Sequence, residues 1–128
     1  MTGRVVHFEV PFDDGERARA FYSRVFGWHL QEMPGMDYTI AVTGPVGDDG
    51  VPTENAYING GLFPRGSDEP RSPVLVVDVD DIDAALAQVA EHGGKVAVPT
   101  MSVGEMGFAA YFHDPEGNVI GLWQTAGG

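Results

Sequence analysis

The hydrophobic and polar positions of this chain follow one pattern twice. In each half a short apolar run leads into an acidic pair, Asp13-Asp14 and then Asp80-Asp81, and apolar residues with helical spacing follow. Glycine ends each helical stretch, at Gly27 and at Gly93-Gly94, and β-type sequence comes next. The chain is therefore predicted to consist of two copies of one strand, helix and three-strand unit.

The first unit is predicted to open with a strand at residues 4–10, which is rich in β-branched and apolar side chains. Pro11 is expected to end this strand because proline has no amide hydrogen to donate. Asp13 or Asp14 can cap the helix that follows, and the helix should cover the sheet with one apolar face. The side chains of that face are Ala18, Phe21, Tyr22, Val25 and Phe26.

Three more strands complete the first unit, and the same order recurs in the second. In the first unit they are predicted at residues 28–33, 38–42 and 56–63, with a mobile Gly- and Pro-rich loop at 44–54. In the second unit the strands are predicted at residues 74–79, 95–98, 108–113 and 119–124, with a loop at 99–107 and a turn at 114–118. The second helix is predicted from the spacing of Ile82, Leu86, Val89 and Ala90.

The repeat also predicts the domain organisation. We expect a single domain in which residues 1–63 form the first unit, 64–73 a linker and 74–128 the second unit. Aligning Val10 with Val79 gives an offset of 79 − 10 = 69, whereas aligning Gly27 with Gly94 gives 94 − 27 = 67. This difference predicts a short deletion after the first strand of the second unit.

Composition narrows the classes of function. The 128 residues, 43% of them hydrophobic, are enough for one compact core, and there is no cysteine for disulfides or thiolate metal sites. The sequence has no membrane span and no export leader, which favours a cytoplasmic protein. A formal charge of −12, with Lys95 the one lysine, argues against a nucleic-acid partner. This acidity favours cationic ligands, and the open alternative is that it serves only to keep a small protein soluble.

Three motifs resemble the vicinal oxygen chelate superfamily, which includes glyoxalase I, bleomycin-resistance proteins and extradiol dioxygenases. They are the opening at residues 7–11, the helix end at 21–28 and the closing segment at 114–123, so the resemblance spans nearly the whole chain. It implies an α+β fold in which two paired βαβββ units curl their mixed sheets around a shared cavity, with the helices outside. It also implies a homodimer.

In enzymes of that superfamily, side chains from the first and fourth strands of each unit hold a divalent metal. Carried over residue by residue, the resemblance places His7 at one such position, but Val76, Gly61 and Gly121 at the other three. We therefore expect the four-ligand metal site to be largely lost, with no cofactor required and His7 the one candidate metal ligand. The two glycines are expected to widen the cavity floor, and no catalytic residue is assigned.

Strand alternation places His7 and Glu9 on the face opposite Phe8 and Val10. If Phe8 packs under the helix, His7 and Glu9 face the cavity, although a hydrogen-bonded structural histidine and a solvated rim glutamate are open alternatives. The predicted ligand-binding cavity comprises His7, Glu9, Asn59, Gly61, Tyr111, Gly121 and Trp123.

The main functional hypothesis is a glyoxalase- or bleomycin-resistance-like protein that binds a small aromatic or cationic molecule without turnover. The alternative is a metal-dependent lyase, isomerase or dioxygenase that uses His7 with unconventional ligands such as Glu9 or with ligands from a second chain. A third hypothesis, an interaction module with a vestigial cavity, predicts a pocket filled by the protein's own side chains.

Overall fold

The computed structural model describes residues 3–55 and 57–127 and has an α+β fold. Two compact units are present. The N-terminal unit contains residues 7–66 and Arg71–Pro73, and the C-terminal unit contains the chain from Val74 onward with Ser67–Pro70 and the residues up to Val6. None of the helices among the described residues is both long and apolar enough to span a membrane.

The first repeat contains, in chain order, β1 (Val5–Phe12), α1 (Gly15–Phe26), β2 (His29–Glu32), β3 (Thr39–Val42) and β4 (Gly60–Pro64). Its strands are ordered β2-β3-β4-β1, with β1 and β4 parallel and the other neighbours antiparallel. The predicted first strand of the repeat is found, and the predicted fourth begins at Gly60; residue 56 lies outside the described residues.

The second repeat contains β5 (Val74–Asp78), α2 (Ile82–Glu91), β6 (Lys95–Val103), β7 (Gly107–His113) and β8 (Val119–Thr125). Its strands are ordered β5-β8-β7-β6, with β5 and β8 parallel and the others antiparallel. The two repeats thus have the same topology, which confirms the predicted α+β class and its two βαβββ units.

Both helices begin and end as the sequence predicts. The side chain of Asp14 accepts a hydrogen bond from the Arg17 amide at 3.0 Å, and Asp81 accepts one from the Ala84 amide at 3.0 Å. Such caps satisfy amides that have no partner inside the helix. Gly27 follows α1 in the left-handed region at φ 72°, a conformation that glycine adopts without a steric penalty.

The predicted turn at 114–118 is held by the side chain of its first residue. Asp114 accepts hydrogen bonds from the backbone amides of Glu116 and Asn118 at 2.8 and 2.9 Å. The bonds from Asn118, together with that from Glu116, favour the charged carboxylate and lower the pKa of Asp114. This turn joins β7 to β8 and brings the fourth strand of the repeat back into the sheet.

Two strands continue through a proline at or before which the sequence predicts them to end. β1 continues through Pro11 to Phe12. The Phe12 carbonyl accepts a hydrogen bond from the Arg65 amide, so the backbone polar groups of Phe12 face β4. Because neighbouring residues of a strand face opposite sides, the nitrogen of Pro11 faces away from β4, and its lack of a hydrogen costs no bond to that strand. The loop expected at 99–107 is also wrong: β6 runs from Lys95 to Val103 across two register irregularities against β7. Pro99 lies at one of these irregularities, and a bulge of this kind lets a strand accommodate a proline.

Equivalent residues of the two repeats are 67 positions apart, both in the first strand and in the helix of each repeat. The helix caps Asp14 and Asp81 give 81 − 14 = 67. The strand register gives the same value. Glu9 pairs with Gly61 in the first repeat, Val76 pairs with the equivalent Gly121 in the second, and 76 − 9 = 67. The deletion predicted after the first strand is therefore wrong. Val76 corresponds to Glu9 and not to His7, a distinction that strand alternation alone cannot make because its period is two.

The C-terminal unit has a compact apolar core between α2 and its sheet. The buried members of that core are Val79, Ile82, Leu86, Ala110 and Leu122. In the N-terminal unit, Ala41 and Leu62 are fully buried, whereas α1 contains no buried residue. The expectation that the whole apolar stripe of α1 covers the sheet is therefore wrong for Phe21, Val25 and Phe26, which are 54%, 55% and 62% exposed.

Candidate ligand-binding site

The two faces of β1 have different surroundings: one face packs towards α1, and the other carries the side chains of the candidate site. On one face Phe8 lies 5.6 Å from Trp28, centroid to centroid, and Trp28 stacks at 4.7 Å on Tyr22 of α1. Because successive side chains of a strand point to opposite sides, His7 and Glu9 lie on the face away from the helix. The condition that Phe8 lies on the helix side of β1 is thus met through its contact with Trp28.

On that face, Tyr38 joins His7 to Glu9. The Tyr38 hydroxyl lies 2.7 Å from His7 Nε2 and 2.7 Å from Glu9 Oε2, so the three side chains form one hydrogen-bonded cluster. Glu9 is only 8% exposed, and His7 and Tyr38 are half-buried. The solvated-rim alternative for Glu9 is therefore wrong, because its carboxyl is buried next to a tyrosine hydroxyl.

The directions of the hydrogen bonds at Tyr38 determine which ring nitrogen of His7 can accept a hydrogen bond from a ligand. The Tyr38 hydroxyl donates to Glu9, so its oxygen accepts a hydrogen bond from Nε2–H of His7. Desolvation by burial lowers the pKa of His7, and the nearby charge of Glu9 partly opposes that shift. The ring is therefore neutral at pH 7 and its Nδ1 carries a lone pair that can accept a hydrogen bond.

Tyr38 also occupies the space beside Gly61. A Cβ atom on Gly61 would overlap the hydroxyl and ring of Tyr38, so any side chain at position 61 requires that ring to move. The prediction that Gly61 widens the cavity floor is therefore wrong, since the glycine makes room for Tyr38. The hydroxyl of Tyr38 stands where the superfamily resemblance places a ligand side chain.

The residues of the cluster do not fit a divalent metal site of the superfamily type. His7 and Glu9 are the two metal-ligand side chains present, and no group of three His, Cys, Asp or Glu residues is close enough to hold a metal within residues 3–55 and 57–127. Both are engaged by the Tyr38 hydroxyl, and Gly61 has no side chain to contribute a third ligand.

Asn59 precedes β4 and has a structural contact. Its Oδ1 accepts hydrogen bonds from the amide of Thr43 at 2.8 Å and from the hydroxyl of Thr43 at 3.3 Å. The Nδ2 of Asn59 is buried without a hydrogen-bond partner among the described residues, which is a costly state for an amide. One side of Asn59 thus anchors the chain after β3, and the other is an unsatisfied donor.

The other three predicted cavity residues lie in the C-terminal unit. Tyr111 on β7 pairs with Gly121 on β8, and its Cε1 would lie 3.2 Å from a Cβ on Gly121. The Trp123 ring packs against Gly107, and its Nε1 donates to the Thr125 hydroxyl at 3.1 Å. Each repeat thus places a tyrosine from its third strand, or from the residue just before it, beside a glycine of its fourth strand.

Tyr38 is not among the cavity residues predicted from the sequence. The structure shows why it belongs there: Ile40 pairs with Gly61, and Tyr38 is two residues before Ile40, on the same face by strand alternation, but the sequence does not reveal that pairing. The hydrogen bonds to His7 and Glu9 could not be inferred, because they depend on the register between β3, β4 and β1.

Two surface hollows of the N-terminal unit, of about 560 and 460 Å³, lie along α1 and not at the cluster. Both are open to solvent, and the helix side chains Ala20 and Arg24 line both, while residues 28–30 and Glu32 complete the smaller one. The cluster is the candidate site because it combines a buried carboxylate, a hydroxyl and a neutral imidazole, which are groups that orient small molecules in binding sites.

Comparison with known proteins agrees with the fold. Residues 4–44 match the family described as bleomycin resistance protein-like N-terminal. A protein of Mycobacterium bovis named as a glyoxylase, CFP32, is 31% identical over 116 residues, which cover 88% of this chain. The chain spans 42% of the length of this relative and of its Mycobacterium tuberculosis counterpart.

A glyoxylase-like domain-containing protein of Didymella fabae is 30% identical over 99% of this chain and 98% of its own length. Among solved structures, a glyoxalase/bleomycin resistance protein/dioxygenase superfamily member of Vibrio splendidus matches with a TM-score of 0.59 at 18% identity, covering 95% of this chain and 97% of its own. Streptomyces coelicolor methylmalonyl-CoA epimerase, in complex with 2-nitronate-propionyl-CoA, matches with a TM-score of 0.63 at 17% identity, covering 98% and 99%. The chain belongs to the glyoxalase/bleomycin resistance/dioxygenase family, the vicinal oxygen chelate superfamily.

Proposed function

We propose that this protein binds a small cationic or aromatic molecule at the cluster formed by His7, Tyr38 and Glu9, without a metal and without turnover. The observation that carries the proposal is the Tyr38 hydroxyl, 2.7 Å from both His7 and Glu9 and in the space beside Gly61. A buried carboxylate stabilised by a hydroxyl is costly to keep in a sheet that needs only apolar packing. Ligand recognition is a reason to keep it.

The charge of the cluster favours a ligand that donates hydrogen bonds. His7 Nδ1 is an acceptor, and Glu9 contributes a carboxylate that accepts the hydrogen bond of the Tyr38 hydroxyl. A protonated amine or an amidine on an aromatic ring satisfies both groups, because it is a cation and a donor. The net charge of −12 also attracts a cationic ligand, and it acts over a longer range than the cluster does.

The ligand of the Streptomyces structural neighbour does not transfer readily to this chain. That neighbour was solved with an acyl-CoA analogue, whose phosphates carry several negative charges. The two hydrogen bonds described within the cluster join His7, Tyr38 and Glu9 and involve no Lys or Arg side chain, and the whole chain has only seven such residues against 19 acidic ones. Electrostatic repulsion therefore favours the cationic class of ligand.

Calorimetric titration with benzamidine and with benzoate, which share a ring size but differ in charge sign, tests the proposal. We expect benzamidine to bind, benzoate to bind far more weakly, and Glu9→Gln to weaken benzamidine binding by about tenfold through loss of the charge-assisted interaction. Glu54→Gln, at an exposed position of the 44–55 segment, is the control for a general change in charge and should have little effect.

Equal binding of the two compounds, or no effect of Glu9→Gln, would contradict the proposal. So would about one divalent metal per purified chain that disappears in His7→Ala, since this result would support the metal-dependent lyase, isomerase or dioxygenase. A cytoplasmic location and a homodimer are part of the proposal and need their own measurements.

A further inference from the structure

The side-chain amide of Asn59 is held in one orientation by Thr43. Its Oδ1 accepts hydrogen bonds from the backbone amide and from the hydroxyl of Thr43. A backbone amide can only donate, so the atom that faces it must be the oxygen, and the other atom of the Asn59 amide must be Nδ2. Among residues 3–55 and 57–127, this Nδ2 is the one buried side-chain nitrogen or oxygen without a hydrogen-bond partner.

A buried donor without a partner is costly, and folded proteins keep very few of them. The contact with Thr43 does not require this donor, because Oδ1 alone makes that contact. Turning the amide of Asn59 to expose Nδ2 would break the bonds to Thr43, so the donor cannot easily reach solvent. An acceptor on a bound molecule would satisfy Nδ2 without disturbing Thr43.

Asn59 lies next to His7 at the same end of the β1–β4 pair. The parallel register pairs Phe8 with Gly60, and His7 and Asn59 each come one residue earlier. A Cβ atom on Gly60 would meet the ring of Phe8, so positions 8 and 60 face the same side of the sheet. Alternation therefore places His7 and Asn59 together on the other side, on neighbouring segments about 4.8 Å apart.

The two side chains offer a ligand one acceptor and one donor side by side. His7 Nδ1 accepts, because Nε2–H is bonded to Tyr38, and Asn59 Nδ2 donates. A carboxamide is complementary to this pair, since its N–H donates and its carbonyl oxygen accepts. An amidinium has only donors and a carboxylate has only acceptors, so each of these groups would satisfy one of the two side chains and leave the other unpaired.

We infer that Asn59 is a specificity-determining residue, whose Nδ2 binds the carbonyl oxygen of a ligand carboxamide while His7 Nδ1 binds the N–H of the same group. The inference rests on the proposed function and narrows the ligand to a cationic aromatic ring that carries a carboxamide. Glu9, two residues along β1 and on the same face as His7, attracts the positive charge of that ring.

Calorimetric titration with 1-methylnicotinamide and with 1,3-dimethylpyridinium tests the inference. Both compounds are aromatic rings with a permanent positive charge, and the second has a methyl group in place of the carboxamide. We expect the wild-type protein to bind 1-methylnicotinamide about tenfold more tightly, through the two additional hydrogen bonds. In a proton–nitrogen NMR spectrum, the side-chain amide signal of Asn59 should move downfield with 1-methylnicotinamide and not with 1,3-dimethylpyridinium.

Asn59→Asp keeps an oxygen for the Thr43 amide and removes the donor. It should weaken the binding of 1-methylnicotinamide by about tenfold and should not weaken that of 1,3-dimethylpyridinium, because the new carboxylate attracts any cation. A purely structural role of Asn59 would instead weaken both compounds alike. Asn55→Asp makes the same chemical change at an exposed position and should alter the preference for neither compound. The NMR measurement uses the unchanged chain and so decides the question even if Asn59→Asp does not fold.

Equal affinities of the wild-type protein for the two pyridinium compounds would overturn the inference. So would an Asn59 signal without a downfield shift, or an Asn59→Asp variant that weakens both compounds equally. If benzamidine binding still depends on Glu9 in that case, the proposed function stands and only the role of Asn59 is wrong. If benzamidine also fails to bind, the proposed function fails with it.

Discussion

Gly61→Ala is expected to lower the free energy of unfolding by roughly 2–4 kcal/mol, the cost of overpacking combined with broken hydrogen bonds to a charged group. In an ordinary strand the same change is neutral or favourable, because glycine loses more backbone entropy on folding than alanine does. Here the new methyl group would occupy the space of the Tyr38 hydroxyl and ring. Tyr38 would have to move and would abandon His7 and Glu9.

A double-mutant cycle shows whether the cost of Gly61→Ala depends on Tyr38 or has another cause. In a Tyr38→Ala background the space is empty, so adding Gly61→Ala should cost little or nothing in urea denaturation. The coupling between the two changes should therefore be nearly as large as the cost of Gly61→Ala alone. Additive costs would show that Tyr38 does not occupy the space beside Gly61.

Leu62→Ala is expected to destabilise the protein by about 3 kcal/mol, through lost apolar burial and the cavity that remains. Leu62 follows Gly61 in β4 and points to the opposite face, where it is fully buried. Leu75→Ala is the matched control, since Leu75 is 52% exposed and should lose less than about 1 kcal/mol. Similar losses for the two variants, measured by urea denaturation, would contradict the assignment of the helix-side face of β4 to the core.

The repeat pattern was sufficient to predict the fold class, the order of elements and both helix caps. These features depend on local signals, namely acidic caps, left-handed glycines and the spacing of apolar residues, all of which act within a few residues. The same reasoning gave the face of β1 that carries His7 and Glu9, because strand alternation needs no knowledge of neighbouring strands.

Features that depend on pairing between distant segments were not predictable. The register of β1 against β4 showed that Glu9, not His7, is the neighbour of Gly61 and the counterpart of Val76. The same register and that of β3 brought Tyr38 into the site and filled the space that a glycine seemed to leave open. A shift of two residues keeps every side chain on its face, so composition and alternation cannot detect it.

The exposure of α1 was also beyond sequence reasoning. Its apolar residues have helical spacing whether they face the sheet of their own unit or another surface, and hydrophobic periodicity does not distinguish these cases. In the folded unit, Tyr22 stacks on Trp28 while Phe21 and Val25 remain exposed. The periodicity thus predicted the helix correctly but not which of its apolar residues remain exposed.

The central claim is that a neutral His7 is tied through Tyr38 to the buried Glu9 and presents Nδ1 to a ligand. The most direct test is an NMR titration of the His7 ring nitrogens, with Glu9→Gln as the comparison. We predict the Nε2–H tautomer and a pKa below 6.5, because burial disfavours the charged ring, and a still lower pKa in Glu9→Gln, because the charge of Glu9 raises it. A pKa above 6.5, an Nδ1–H tautomer, or a pKa that rises in Glu9→Gln would contradict the account.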